Sequence, residues 1–249
     1  MKKKYIKIIL IVVAVIAAYL YLAHAYIYYQ IGSAHLPATD DRHVYICGNV
    51  ATSSKKIVYA SMGDSLTSGV GTNKYEESYP YLLSQYLAND DTIIVNENFS
   101  YPGARTENVI NDLLAPAIAS QPDVVTLLIG VNDIHGFVGI EQFKKNYDFI
   151  LKELTTKTKA KIYLISIPYI GCHTLILPPY SNYFDSETAK FNGVIQNLAK
   201  TYNLQYIDLS SPTEEILKKD TPYYAADLFH PSALGYVSWA KIIYDDINK

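Results

Sequence analysis

The chain has 249 residues, a formal net charge of −3 and two cysteines, Cys47 and Cys172. No basic excess points to a nucleic-acid surface. With an N-terminal apolar segment set aside, the remaining length suits one domain with a substantial core. The abundance of tyrosine (24 residues) and the scarcity of arginine (Arg42 and Arg105) carry no functional reading.

Residues 1–31 form a separate physical object. Lys2, Lys3, Lys4 and Lys7 precede a stretch from Ile8 to Pro37 with no Asp, Glu, Lys or Arg. Tyr5 to Tyr26 is 22 residues, and about 20 helical residues cross the hydrocarbon core. The lysine cluster predicts a cytoplasmic N-terminus and an extracytoplasmic remainder. Tyr19, Tyr21, Tyr26, Tyr28 and Tyr29 gather at the outer end, where an aromatic belt sits. Ala23-His24-Ala25 also fits a signal-peptide cleavage pattern. The apolar character running past that point favours an uncleaved single-pass anchor; cleavage would give a secreted protein. Both readings place the rest outside the cytoplasm.

Residues 32–55 read as a juxtamembrane connector with a short extended piece at Val44-Tyr45-Ile46. From residue 56 onward, strands and helices alternate to the end of the chain. Strands are predicted at Ile57 to Ser65, Thr92 to Asn96, Asp123 to Ile129, Lys161 to Ile167 and Gln205 to Asp208. Helices are predicted at Ser78 to Ala88, at Arg105 to Ile118 with Pro116 kinking or ending it, and around Phe143 to Leu154. Two more are predicted around Phe191 to Tyr202 and from Pro231 to Ile247. This alternation predicts a flavodoxin-like three-layer α/β/α sandwich on a five-stranded parallel sheet of order 2-1-3-4-5. Cys47 and Cys172 are left open as a disulfide or two unpaired thiols.

Three loops at the C-terminal ends of strands share one rim, where open α/β sheets bind ligands. The first carries Gly63-Asp64-Ser65-Leu66, which is not the Gly-x-Ser-x-Gly elbow of α/β-hydrolases because Thr67 takes the last position. The second runs from Asn98 to Thr106 and contains Gly103. The third is Gly130-Val131-Asn132-Asp133-Ile134-His135. A fourth piece, Asp227-Leu228-Phe229-His230, lies near the C-terminus. A serine hydroxyl is a weak nucleophile until a base takes its proton and a third group orients the base. His230 and Asp227 have the chemistry for those two tasks. The N–H groups of Ser65 and Gly103 and the amide of Asn132 can serve as donors to an oxyanion. Taken singly, each of these residues has a structural reading as a cap, a turn or a surface group.

Together, in this order and spacing, the four blocks resemble those of the GDSL, or SGNH, hydrolase superfamily over about residues 56–247. The resemblance implies a serine esterase or lipase with no metal or cofactor. Ser65 would be nucleophile, His230 base and Asp227 its orienter, with Ser65, Gly103 and Asn132 as the oxyanion hole. Ser100 stands where relatives often have Ala or Gly. Asp133 is expected to hold the third loop; His135 stands on the right rim, where it can either touch substrate or, as the favoured reading, be a satisfied loop histidine. Arg105 is expected to cover a helix start, and Asp64 and His173 have no assigned step.

The expected protein is thus a membrane anchor (1–31), a connector (32–55) and a hydrolase domain (56–249), acting on a small-molecule, lipid or glycan ester. The apolar loop Thr174 to Tyr180 can either line an acyl site, favouring acyl or lysophospholipid-like esters, or fold onto its own domain. An O-acetylesterase acting on cell-surface carbohydrate is the alternative substrate reading. A non-catalytic surface binding module on the same fold is the alternative from another class.

Overall fold

The computed structural model describes residues 2–38, 43–169, 171, 174–217 and 221–249. Helix α1 (Lys2–Ile31) comes first, and 29 of its residues, Lys3–Ile31, are long and apolar enough to cross a membrane. A short strand β1 (Val44–Cys47) follows. The chain then enters β2 (Lys55–Gly63), one helical turn α2 (Ser65–Ser68) and helix α3 (Tyr79–Leu87). Pro80 sits in the first turn of α3, where its missing N–H costs nothing. Next come β3 (Thr92–Ser100), α4 (Thr106–Asn108), α5 (Leu114–Ala119) and β4 (Val124–Leu128). Short helix α6 (Val131–His135), long helix α7 (Ile140–Lys157) and β5 (Lys161–Ile165) complete the middle of the chain. The last part holds α8 (Tyr180–Tyr202), β6 (Gln205–Ile207), α9 (Ser210–Leu217) and α10 (Ala233–Ile247).

The sheet order is β1-β3-β2-β4-β5-β6. β3, β2, β4, β5 and β6 are mutually parallel, in the 2-1-3-4-5 order expected for five strands. The expectation of a purely five-stranded parallel sheet is corrected by β1, which adds antiparallel to the β3 edge, Val44 opposite Glu97 and Cys47 opposite Ile94. Four residues can do this because Tyr45 and Cys47 alternate inward and the open β3 edge supplies the partner groups. Cys47 is a free buried thiol, and burial pushes its pKa up to about 11. Cys172 and His173 lie outside the described residues.

β2 is the central strand, and its last five residues are all buried. α3 packs on α10, while α5 and α8 each pack on α7. Phe143, Tyr147, Ile150, Leu151 and Leu154 give α7 its buried stripe. The helix expected at Arg105 to Ile118 is not continuous. A π-type turn at Val109–Leu113 separates α4 from α5, just before Pro116. Pro116 cannot donate to the carbonyl four residues earlier, and a locally widened turn absorbs that loss.

The connector is not a free linker. Gly71 N–H donates to the His35 carbonyl (2.8 Å), Ala38 N–H to Asn73 (2.9 Å) and Tyr75 N–H to the Ala38 carbonyl (3.0 Å). Many tyrosines are structural. Tyr59, Tyr75, Tyr79 and Tyr236 are fully buried, with hydroxyls bonded to Thr126, Asn96, Thr67 and the Val70 carbonyl.

The β2-to-α2 turn sets the position of Ser65. The strand ends two residues before the expected boundary, and Ser65 opens a helical turn. Asp64 caps that turn, its Oδ1 accepting the Leu66 N–H at 3.0 Å. Gly63 has no room for a side chain, since an added Cβ would lie 2.4 Å from the Leu128 carbonyl oxygen and 2.2 Å from Thr67 Oγ1. Asp64 is buried and its Oδ2 has no partner. Burial, reinforced by the nearby Asp133 carboxylate, raises its pKa from 3.8 to about 7.

Two outcomes follow for stability. Gly63→Ala should cost about 1–3 kcal/mol through overpacking, lowering the melting midpoint by about 2–4 °C per kcal/mol in thermal denaturation. For Asp64 the folded-state pKa is raised, so its contribution is complete below the ordinary carboxyl value. That contribution is lost as the pH rises towards about 7. Asp64→Asn keeps a capping oxygen but does not titrate. The wild type should therefore lose stability relative to Asp64→Asn between about pH 4 and pH 7, and parallel pH profiles from melts would show no divergence if Asp64 does not carry this proton.

Candidate active site

The four sequence blocks meet at the C-terminal edge of the sheet. α2 carries Ser65 from the end of β2. The chain after β3 carries Gly103, the turn after β4 carries Asn132, and the segment before α10 carries Asp227 and His230. Ser65 and His230 are separated by 165 positions along the chain, yet His230 Nε2 lies 2.9 Å from Ser65 Oγ. His230 Nδ1 lies 2.6 Å from Asp227 Oδ2. The three side chains form one unbroken line, and all three are buried.

The Asp227–His230 segment is fixed by its own backbone. Asp227 Oδ1 accepts the N–H groups of Phe229 (2.9 Å) and His230 (3.0 Å), so one carboxylate both folds the loop and meets the ring. The Asp-x-x-His spacing works because Leu228, between them, adopts a left-handed conformation with φ 60°. For a non-glycine residue that costs on the order of 1–3 kcal/mol, held here by the surrounding bonds. Ala225 N–H to the His230 carbonyl (2.8 Å) and Ser232 N–H to the Tyr223 carbonyl (2.9 Å) close the loop. α10 opens at Ala233 and not at Pro231, and Ser232 caps it, accepting the Gly235 N–H at 3.2 Å. Burial pushes the Asp227 pKa up, but the His230 hydrogen bond and charge, with the two backbone N–H groups, bring it below the usual carboxylate value. Asp227 is therefore ionised at neutral pH.

Gly103 and Asn132 border one cavity. Gly103 has φ 82°, which only glycine adopts freely, although a Cβ there would meet open space. Its requirement is conformational: the left-handed turn orients the N–H, which no acceptor takes among the described residues. Asn132 Nδ2 donates to the Ala104 carbonyl at 3.0 Å, which fixes the amide and leaves it a second hydrogen to give.

Residues without an assigned step also have defined places. Asp133 ties the third block to the second, accepting the Thr106 N–H at 3.0 Å and the Thr106 hydroxyl at 2.5 Å. Burial raises its pKa, partly offset by these bonds and by Arg105. Arg105 occupies the cap position of α4, and its guanidinium lies over Gly136. His135 is not the satisfied loop histidine expected. Its Nε2 is buried without a partner, and its ring sits between Phe184 (4.6 Å) and Phe229 (5.3 Å). Burial first, then the nearby His230, lowers its pKa to about 4, so it is neutral at physiological pH. Ser100 donates its hydroxyl to Asn98 Oδ1 and takes no place in the Ser65–His230–Asp227 line.

The cavity has a volume of about 550 Å³ and runs from Gly103 and Asn132 past His135 and Phe184 to residues of α1. The apolar loop after β5 divides its residues. Leu175 and Ile176 are buried in the domain core, while Pro179 and Tyr180 border the cavity. Sequence reading missed Phe184, which is off the strand-end loops, and the α1 residues, whose stripe is hidden in a helix that is apolar all round. No group of three or more His, Cys, Asp or Glu side chains able to hold a metal exists among the described residues.

A model of the GDSL-like Lipase/Acylhydrolase family matches residues 61–237. An acetylxylan esterase from Geobacillus stearothermophilus is 25% identical over 157 residues, spanning 57% of this chain and 68% of that protein. The fold is similar to an extracellular lipase from Streptomyces rimosus, with TM-score 0.62 and 19% identity over 77% of this chain and 98% of that one. It is also similar to a lipase/acylhydrolase from Enterococcus faecalis, with TM-score 0.61 and 21% identity over 77% of this chain and 95% of the other. The family match covers the strand-end blocks and most of the sheet, and on that ground the chain belongs to the GDSL-like lipase/acylhydrolase family, a carboxylic ester hydrolase with an SGNH-type α/β fold.

Proposed function

We propose that this chain is a serine esterase of acyl esters, held at the outer face of the membrane by α1, with Ser65 as nucleophile. The observation carrying this reading is the unbroken line Asp227–His230–Ser65, with separations of 2.6 and 2.9 Å. Neutral His230 takes the Ser65 proton through Nε2 as Oγ attacks the ester carbonyl. The ring then becomes cationic, and Asp227, ionised and bonded to Nδ1, stabilises it in that orientation. The carbonyl oxygen becomes negative and is received by the N–H groups of Ser65 and Gly103 and by the Asn132 amide. His230 returns the proton to the leaving alcohol, leaving an acyl-Ser65 ester. Water attacks this ester with His230 again as base, releasing the acid and restoring the serine. The electron flow closes with these groups alone.

The apolar cavity beside Gly103 and Asn132 favours an acyl ester of a lipid or lysophospholipid kind over a polar one. A second reading, O-acetyl removal from cell-surface carbohydrate, has support from the acetylxylan esterase relative. Hydrolysis rates for acetyl esters, longer acyl esters, lysophospholipid and acetylated glycans separate the two. The lysine cluster before an uncharged helix supports the anchor and its orientation. The reading of residues 32–55 as a connector is narrowed by β1 and by the bonds at His35 and Ala38, which support counting those parts with the hydrolase domain.

Ser65→Ala and His230→Ala should each remove nearly all hydrolysis, and the double variant should lose little more than either single one, because the residues act as a unit. Steady-state kinetics with melts as a folding control test this, and near-normal turnover by folded Ser65→Ala would refute the nucleophile. Asn132→Ala should lower kcat by about 100- to 1000-fold, as for a single oxyanion donor. Its KM should change far less, because the bond is strongest in the transition state. A folded Asn132→Ala protein with wild-type kcat would remove Asn132 from the oxyanion hole.

A further inference from the structure

The outer end of α1 is not a bare stalk. Tyr19, Ala23, Ile27 and Ile31 recur every four residues and so lie along one helix face, with Leu20, His24 and Tyr28 beside them. Ala23 and Ile27 are only 6% exposed, whereas most of the helix before them is open. Tyr19 donates its hydroxyl to the Pro178 carbonyl (2.6 Å), and Tyr180 donates to the Leu20 carbonyl (3.2 Å). The His24 ring lies 6.1 Å from that of Tyr180. The backbone bonds at His35 and Ala38 hold the chain just beyond the helix against the 71–75 loop. The helix end is therefore pinned to the domain from two directions.

Length fits this docking. The 30 residues of α1 rise about 45 Å, against about 30 Å of hydrocarbon. Counted from Tyr5, past the first lysines, about 20 residues of span end near His24, so the docked face from Tyr19 to Ile31 starts at the outer boundary of the span and runs beyond it. The cavity lies between that stretch and the rim. His24, Ile27, Tyr28 and Ile31 of α1 line it together with Tyr180 and Phe184 of α8 and with Gly103 and Asn132. Phe137, 73% exposed, and Tyr183, with rings 5.9 Å apart, also border it.

We propose that the membrane-proximal end of α1 is a wall of the acyl-binding site, so that the cavity takes the acyl chain of a lipid ester drawn from the outer leaflet of the membrane that α1 crosses. This rests on the esterase reading above. The helix then has two tasks along its length: the stretch from Tyr5 holds the protein in the bilayer, and the outer end, with His24, Ile27, Tyr28 and Ile31, completes the site. The ester carbonyl sits between Ser65 and the donors Gly103 and Asn132. The acyl tail extends along Ile27 towards the membrane surface, and the neutral, unpartnered His135 ring is part of its lining.

The test uses the full chain reconstituted in lipid vesicles, with p-nitrophenyl acetate and p-nitrophenyl decanoate as substrates. The quantity read is the ratio of kcat/KM for decanoate to that for acetate. The His24→Ala/Ile27→Ala double variant and the domain-side Phe184→Ala variant should each lower this ratio by tenfold or more, and Ile27→Leu should keep it near wild type. A ratio within twofold of wild type in the helix variant overturns the proposal, whatever Phe184→Ala does. A second measurement on the unaltered protein covers a helix variant that does not fold. A lysophospholipid bearing a photoactivatable group at the acyl terminus, placed in the vesicle, should crosslink to residues 24–31 as well as 180–184. Adducts confined to the domain, or none in the cavity, overturn the proposal. Failure of the esterase reading looks different: neither ester would then be hydrolysed above the Ser65→Ala background.

Discussion

The hydrogen bond from Ser65 to His230 is the constraint on which the rest of the site depends. It joins the end of the central strand to a loop that forms only near the C-terminus, so neither half of the domain can make it alone. Each side is held by groups that leave little freedom. On one side, Gly63 lets β2 pass against the β4 carbonyl, and Asp64 starts the turn that presents the hydroxyl. On the other, the Asp227 carboxylate folds its own loop through two backbone N–H groups before it meets the imidazole. The Tyr236 hydroxyl on α10 reaches the Val70 carbonyl just after α2, tying the two sides together beneath the bond. Proton transfer between positioned groups falls off with displacements of about 1 Å, and these ties suppress such displacement.

The same region concentrates buried acid. Asp64, Asp133 and Asp227 are all nearly inaccessible, yet their surroundings push them in different directions. Asp227 has an imidazole and two N–H donors and is kept ionised. Asp64 has one N–H and a neighbouring carboxylate, and burial carries it to about 7. The difference comes from donor count and charge, not depth. The carboxylate bonded to the imidazole is the one supplied with enough partners to stay charged, and the one next to Ser65 in sequence is not.

What the sequence revealed and what it hid divide along physical lines. The five parallel strands were legible because doubly covered strands read as apolar runs between amphipathic helices; right-handed crossovers left few orders, of which the flavodoxin-like one is the simplest for five strands. The four strand-end blocks were legible because their residue types, order and spacings, as in Asp227-x-x-His230, resemble those of the family that the chain matches. Three things were hidden. The pairing of β1 is one: Val44-Tyr45-Ile46 reads as an extended piece, but its place in the sheet depends on an edge distant in sequence. α2 and α6 are single turns, shorter than the repeat by which a helix is recognised. The interruption of the Arg105–Ile118 helix was only partly legible, since Pro116 announces a break but not the π-type turn that precedes it.

The docked face of α1 was hidden for a different reason. Amphipathicity is visible only against a polar background, and a helix apolar all round carries no contrast from which to read which side meets protein and which meets lipid. Only the structure separates Ala23 and Ile27 from their exposed neighbours. This bears on the Ala23-His24-Ala25 segment, where a signal sequence would be cut. A break after Ala25 would detach Tyr19, Leu20, Ala23 and His24, and with them the contacts to Pro178 and Tyr180. Ile27, Tyr28 and Ile31 would remain on a stub of two turns, too short to be a stable helix unaided. The cavity would then open along one side beside Gly103 and Asn132. The proposed wall therefore requires an intact α1, because it lasts only while the helix is continuous.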